Sequence, residues 1–176
     1  MRLLLKRVAR YSCRVPMLHL PPHQIKIALL QPQIAPNTGN IARLCVATGT
    51  QLHLVRPMGF VLSDRELKRS AMDYWPRLKL TVHDDTNAFL QHFAGSRLWL
   101  LSTRGRRSYW DAGYRDGDVL AFGSETKGID QSLLDQFNNQ VLRIPQAAEE
   151  RCLNLATSAG IALYEALRRV SLEPGR

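Results

Sequence analysis

Two short segments carry residue types that could do chemistry at close spacing. Phe122-Gly123-Ser124-Glu125-Thr126-Lys127-Gly128 sets a hydroxyl, a carboxylate and an ammonium between two glycines. It lacks the G-x-x-x-x-G-K-[ST] order of a phosphate loop and the G-x-S-x-G of a nucleophile elbow. ATP hydrolysis and serine hydrolysis therefore have no sequence mark, and no G-x-G-x-x-G follows the first strand to suggest a dinucleotide site. Arg104-Gly105-Arg106-Arg107-Ser108-Tyr109-Trp110 interleaves three arginines with two aromatics. Arginines meet phosphates and aromatics stack on unpaired bases, so this is a candidate RNA contact. The bland alternative is a solvated loop with a hydrophobic anchor.

The elements that must position these loops centre on Arg143 to Val170. A strand is expected over Gln140 to Ile144, ended by Pro145, which has no N–H for a ladder. A polar loop leads to a helix from Asn154, a good N-cap because its side-chain oxygen accepts first-turn amides. Leu155, Ala159, Ala162, Ala166 and Val170 repeat every three to four residues and form one apolar face. Arg168 and Arg169 suit the negative end of the helix dipole. Gly160 costs about 1 kcal/mol against alanine in a helix, which predicts close packing or a ligand there. The run of amides at the helix start suits a polar or anionic ligand. A plain C-terminal helix packed on a sheet is the competing reading.

Earlier in the chain, Ile25 to Leu30 reads as a buried strand. Asn37-Thr38-Gly39-Asn40 opens a helix to Thr48, stopped by Gly49. Gln51 to Val55 follows as a second strand, giving a β-α-β unit with a right-handed crossover. Ser63-Asp64-Arg65-Glu66 is a capping box starting another helix. Strands are expected at Leu78 to Val82, Arg97 to Ser102 and Asp118 to Phe122, and helices at Asp85 to Phe93 and Ile129 to Phe137. The alternation predicts a single α/β domain with a mostly parallel sheet flanked by helices. Ligands of such sheets bind at the carboxyl ends of strands, here the loops Thr103 to Ser108, Gly123 to Gly128 and Pro145 to Leu153.

The chain has 176 residues and a net charge of +9. Residues 1 to 63 hold eight Lys or Arg and no acid, whereas the remaining 113 hold 16 basic and 15 acidic side chains. This asymmetry favours a polyanionic partner. Three cysteines without metal spacing indicate a reducing compartment, and the five histidines are scattered, so no metal site is expected. No apolar run has the length of a membrane span. Residues 1–24 read as a basic N-terminal extension. A transit peptide has this composition. A disordered arm, or a start codon upstream of a true start at Met17, is the reading adopted. The domain spans 25–170, with a tail at 171–176.

Taken together, the motifs resemble those of the SPOUT, or α/β-knot, RNA ribose 2′-O-methyltransferases, over about Ile25 to Arg169. The subfamily most resembled is the small one acting on the tRNA wobble cytidine or uridine. The motifs are Pro36-Asn37-Thr38-Gly39-Asn40-Ile41-Ala42-Arg43-Leu44-Cys45, then Arg56-Pro57-Met58-Gly59-Phe60 and Asp73-Tyr74. Phe122 to Gly128 is the second block. Arg143-Ile144-Pro145, Arg151-Cys152-Leu153-Asn154-Leu155 and Tyr164-Glu165-Ala166 make the third. The resemblance implies a C-terminal trefoil knot and S-adenosylmethionine held against Leu101, Gly123, Ile144, Cys152 and Leu153. It implies catalytic or RNA-positioning roles for Asn37, Arg43, Glu125 and Asn154. It also implies a cytoplasmic homodimer acting on a tRNA anticodon stem-loop, with the small-residue face of the last helix near the dimer interface. Arg104, Arg106 and Arg107 are the expected RNA contacts. Related enzymes commonly have serine where this chain has Cys152, a weak S–H donor suited to a backbone role.

Methyl transfer to a ribose hydroxyl needs alignment and proton removal. Arg43 is a poor base, because a guanidinium does not give up its proton in a protein, so it is expected to clamp the oxygen and a phosphate. Glu125 would orient Arg43 or the amides of the Gly123 loop. Ribosomal RNA as the substrate, and a non-catalytic RNA-binding α/β module, are the alternatives.

Overall fold

Alternating strands and helices form a seven-stranded sheet in the order β3-β2-β1-β6-β4-β7-β5, with every strand pair parallel. The strands are β1 Lys26–Leu30, β2 Gln51–Val55, β3 Leu80–His83, β4 Leu98–Leu101, β5 Arg107–Ser108, β6 Val119–Phe122 and β7 Val141–Arg143. The helices are α1 Ala35–Thr48, α2 Thr86–His92, α3 Gln131–Gln136 and α4 Leu155–Ser171. The structure, a computed structural model, describes residues 20–62 and 74–171. The expected helix at Ser63-Asp64-Arg65-Glu66, Asp73, most of the N-terminal extension and all of the tail after Ser171 lie outside the described residues.

Strand alternation builds two cores. Ile27, Leu29, Leu52, Leu54, Leu120 and Phe122 face α1 and α4, while Ala28, Leu30, Val55, Leu100 and Val119 face the side covered by Phe89 of α2 and Leu133 of α3. Both faces are covered, which is why these strands read as continuous apolar runs. The apolar stripe of α4 is buried: Ala159, Ala162, Leu163 and Ala166 are fully covered. Burying a leucine such as Leu163 stabilises by about 1.5–3 kcal/mol. This stripe packs inside its own chain, against α1 and β6. The close approach expected at Gly160 is absent, since an added Cβ would lie 4.0 Å from the Leu44 methyl, its nearest neighbour.

Element ends differ from expectation in ways that matter later. Helix α1 begins at Ala35 after an uncapped Ile34, with Pro36 in the first turn. Proline costs nothing there because that N–H has no helical partner. Asn37 is thereby inside the helix, its side chain free for tertiary bonds. Gly49 ends α1 in the left-handed conformation (φ 76°), its N–H bonded to the Cys45 carbonyl. Strand β7 starts only at Val141, because Asn138–Gln140 form a 3-10 turn. The arginine segment read as a loop contains the two-residue strand β5, which pairs with β7 and forms one sheet edge.

Three of the scattered histidines converge between β2, β3 and α2. A hydrogen bond of 3.0 Å joins His53 Nδ1 and His83 Nε2, and His92 lies with its ring centroid 5.6 Å from His53 and 5.1 Å from His83. Burial pushes the His53 imidazolium down to about 3, helped by the positive fields of His83, His92 and Lys26. No group of three His, Cys, Asp or Glu suited to a metal occurs among the described residues. Low on the sheet, Asp118 accepts from Arg97 Nε (2.9 Å) and Nη2 (2.8 Å), Trp99 Nε1 (2.7 Å) and the Arg115 amide (2.9 Å), so its buried charge is fully satisfied.

Candidate active site

Parallel pairing sets the carboxyl ends of β6, β4 and β7 side by side, so the loops after them meet over one edge. They line a cleft of about 470 Å³ with Leu101 to Arg104, Phe122 to Ile129, Ile144, Gln146 and Arg151 to Leu155. All three loops singled out at strand ends are therefore brought together. Two glycines let the backbones meet. A Cβ on Gly123 would fall 2.1 Å from the Gly128 carbonyl carbon, and one on Gly105 would fall 2.7 Å from that of Leu142. Ser124 and Gly128 close the second loop by exchanging backbone bonds of 3.2 and 2.9 Å. The loop is a rigid lip, and any side chain at position 123 would open it.

Glu125 turns away from solvent-facing partners toward the start of α1. Its Oε2 accepts from the Gln33 amide (2.8 Å), and its Oε1 from the Ile34 amide (3.3 Å) and Asn37 Nδ2 (3.0 Å). Asn37 Oδ1 in turn accepts from Asn154 Nδ2 at 2.9 Å. Asn154 Oδ1 caps α4, accepting from the Ala156 amide (2.8 Å) and the Thr157 amide (3.3 Å). One polar chain thus ties the loop after β6, the entry to α1 and the start of α4. The expected cap at Asn154 is present. It also occupies those amides, so the start of α4 does not offer them to an anion. Glu125 holds Asn37 and the Gln33 and Ile34 amides, not Arg43 or the Gly123 loop amides as expected.

The residues present fit an adenosyl-sulfonium cofactor. The cleft alternates apolar surface (Leu101, Phe122, Ile144, Leu153) with polar groups. Gln146 Oε1, on the loop after β7, is buried without a hydrogen-bond partner in the protein, an acceptor that a ligand donor would satisfy. Gln146 escaped the sequence reading, and its only sequence signal is its place directly after Ile144-Pro145.

The model of the SpoU rRNA methylase family matches residues 24–164. This chain belongs to that family. A Methylovorus glucosotrophus relative named tRNA (cytidine(34)-2′-O)-methyltransferase is 44% identical over 144 residues, 81% of this chain and 94% of its own. A solved structure described as giving insight into 2′-OH methylation of C/U34 on tRNA superposes with a TM-score of 0.83 at 43% identity, covering 87% of this chain and 100% of the other. An AdoMet-bound rRNA methyltransferase from Sinorhizobium meliloti superposes with a TM-score of 0.75 at 28% identity, covering 86% of this chain and 58% of its own.

Within this family member, Asn37, Glu125, Asn154, Leu101, Gly123, Ile144, Cys152 and Leu153 all line the cleft. Of the four arginines expected to serve the site, Arg43, Arg104, Arg106 and Arg107, only Arg104 does, donating to Gln131 Oε1 at 3.1 Å. Arg43 is exposed on α1 outside the cleft lining, its guanidinium 5.0 Å from the Tyr74 ring centre. Arg107 lies over Trp99 at 5.5 Å and donates to the Asp111 carbonyl, and Arg106 is exposed. Helical geometry explains the divergence: six residues separate Asn37 from Arg43, so the two point from different faces of α1.

Proposed function

We propose that this chain transfers the methyl group of S-adenosylmethionine to the ribose 2′-hydroxyl of tRNA nucleotide 34, a wobble cytidine or uridine. The observation that carries this reading is near-complete overlap with proteins named for that reaction, 94% of the Methylovorus relative and 100% of the solved C/U34 chain. The rRNA enzyme is overlapped over 58% of its length, which favours tRNA over ribosomal RNA.

The cofactor supplies a methyl activated by a positive sulfur. Leu101, Gly123, Ile144, Cys152 and Leu153 would hold it, with Gln146 offering its free carbonyl. Asn37, Glu125 and Asn154 satisfy one another, so they act as positioning residues that keep the three loops in register. Arg43 stands outside the lining, with Tyr74 steadying its guanidinium. It clamps the ribose oxygen or a flanking phosphate of the bound RNA, stabilising negative charge as the hydroxyl proton passes to solvent water. Arg104, Arg106 and Arg107 contact phosphates, and the basic amino-terminal third adds to the field. The working unit is a cytoplasmic homodimer whose C-terminal segment is threaded as a trefoil knot, a reading supported by family membership. The buried stripe of α4 serves its own chain, so a partner would meet the exposed Tyr164 side of that helix. The domain takes in 25–170.

Nucleoside mass spectrometry after incubation with S-adenosylmethionine and unmodified tRNA or ribosomal RNA tests the assignment. A 2′-O-methylated nucleotide at position 34 of tRNA is expected. Modification of ribosomal RNA alone would replace the substrate, and binding without transfer would leave an RNA-binding module.

A further inference from the structure

Away from the cleft, the edge of the sheet beyond β5 carries a large aromatic that the proposed chemistry does not use. Trp110 is 53% exposed, yet its backbone is fixed from several sides. Its N–H bonds to Ser108 Oγ at 3.2 Å, and its carbonyl accepts from Arg169 Nη2 of α4 at 2.8 Å. Its neighbours Tyr109 and Ala112 are buried at 8% and 2% exposure. The Tyr109 ring lies with its centroid 5.4 Å from that of Trp110, tilted by 37°. The backbone that carries the indole is fixed and the ring lies against Tyr109, so ordering this segment for a partner costs little conformational entropy.

The charge around this plane is arranged. Glu165, at 12% exposure, holds Arg168 with two bonds of 2.9 Å and Arg169 with one of 2.8 Å. Arg107 is fixed between the Trp99 ring and the Asp111 carbonyl, and Arg106 is exposed beside it in sequence. Four guanidinium groups against the carboxylates of Asp111 and Glu165 leave the patch positive. Neither Trp110 nor any of these four arginines lines the cleft.

We propose that Trp110, framed by Arg107 and Arg169, is a stacking platform for an unpaired base of the tRNA other than the nucleotide being methylated. It docks the RNA at a second point. The inference rests on the tRNA reading above. Charge complementarity selects the occupant: an exposed aromatic plane inside a positive rim matches a base and its flanking phosphates. An apolar protein partner would meet the same plane but would bring no negative charge to the positive rim.

The test uses the full chain, with Trp110→Ala and Trp110→Phe variants. A single-stranded RNA loop should quench wild-type tryptophan emission, while a blunt duplex of equal length should not. That quenching should vanish in Trp110→Ala. The same variant should raise the KM for tRNA by about tenfold, in line with the ~1–3 kcal/mol that one stacked base contributes. Its kcat at saturating tRNA and its cofactor Kd should stay near wild type, and Trp110→Phe should recover most of the KM. Unquenched emission, or a wild-type KM in Trp110→Ala, overturns the platform. A fall in oligomeric mass in Trp110→Ala by light scattering overturns it too, assigning the face to a second copy. Absence of methyl transfer by the wild type would instead defeat the tRNA reading, and the quenching arm would still decide whether Trp110 stacks on RNA.

Discussion

Asn37 Oδ1 accepts a hydrogen bond of 2.9 Å from Asn154 Nδ2, joining the first helix of the domain to the start of the last across 117 positions of chain. Each amide uses both ends: Asn37 also donates to Glu125, and Asn154 also caps α4. Asn37 is only 8% exposed, so losing a partner strands buried polar atoms. Asn37→Ala should cost about 1–3 kcal/mol of stability. Asn154→Ala should cost ~1 kcal/mol for the cap alone, plus the lost bond. The double variant should fall short of the sum by about 0.5–3 kcal/mol. Denaturant unfolding of the four proteins measures this, and strict additivity would show that the bond is not coupled.

Gly123 is the tightest point of the cleft. Alanine there would bring its Cβ to 2.1 Å from backbone, so Gly123→Ala must push the Gly128 turn away. Overpacking of this kind costs about 1–3 kcal/mol. The variant should lose the rise in melting temperature that S-adenosylmethionine gives the wild type by mass action. NAD should give neither protein a shift. Equal thermal shifts with S-adenosylmethionine in both proteins would remove the loop from the cofactor site.

Arg43→Lys separates a clamp from a base. A planar fork can hold an oxygen and a phosphate together, whereas an ammonium is a point charge. As a clamp, the lysine variant should keep its fold and cofactor affinity and lose roughly 2–4 kcal/mol of transition-state stabilisation at every pH. Single-turnover methylation across pH reads this directly. Recovery of the rate as pH rises toward the lysine pKa would make position 43 the base, and wild-type rates in Arg43→Lys and Arg43→Ala would take it out of the chemistry.

The histidine cluster predicts acid sensitivity. His53 is held neutral in the folded chain, with its pKa lowered from 6.5 to about 3. Burial also lowers His83. The unfolded chain takes up a proton below pH 6.5 that folded His53 refuses, so stability falls as pH drops from there toward 3. By pH 5 the loss from His53 amounts to at most about 2 kcal/mol. His53→Gln, which can still hydrogen-bond His83, should flatten this slope between pH 7 and pH 5. Parallel stability profiles for the two proteins would show that His53 does not set the slope.

The one-dimensional pattern was enough for the α/β class, because buried parallel strands such as Ile27 to Leu30 are apolar on both faces. Gly49 and Asn154 were legible as helix ends for local reasons, a left-handed backbone and a side-chain cap. The loops after β4, β6 and β7 were legible as a site because parallel strands carry their ligand loops at one end. Other features had no local sign. Glu125 meets Asn37 only because β6 lies beside β1, and three histidines meet only because β2 pairs β3 beneath α2. Arg43 and Asn37 share a motif, yet helical twist sends them to different surfaces. Residue type and spacing determine backbone preference and the face a side chain occupies. Which distant faces come together is decided by strand order and packing, whose energies depend on contacts that no short segment contains.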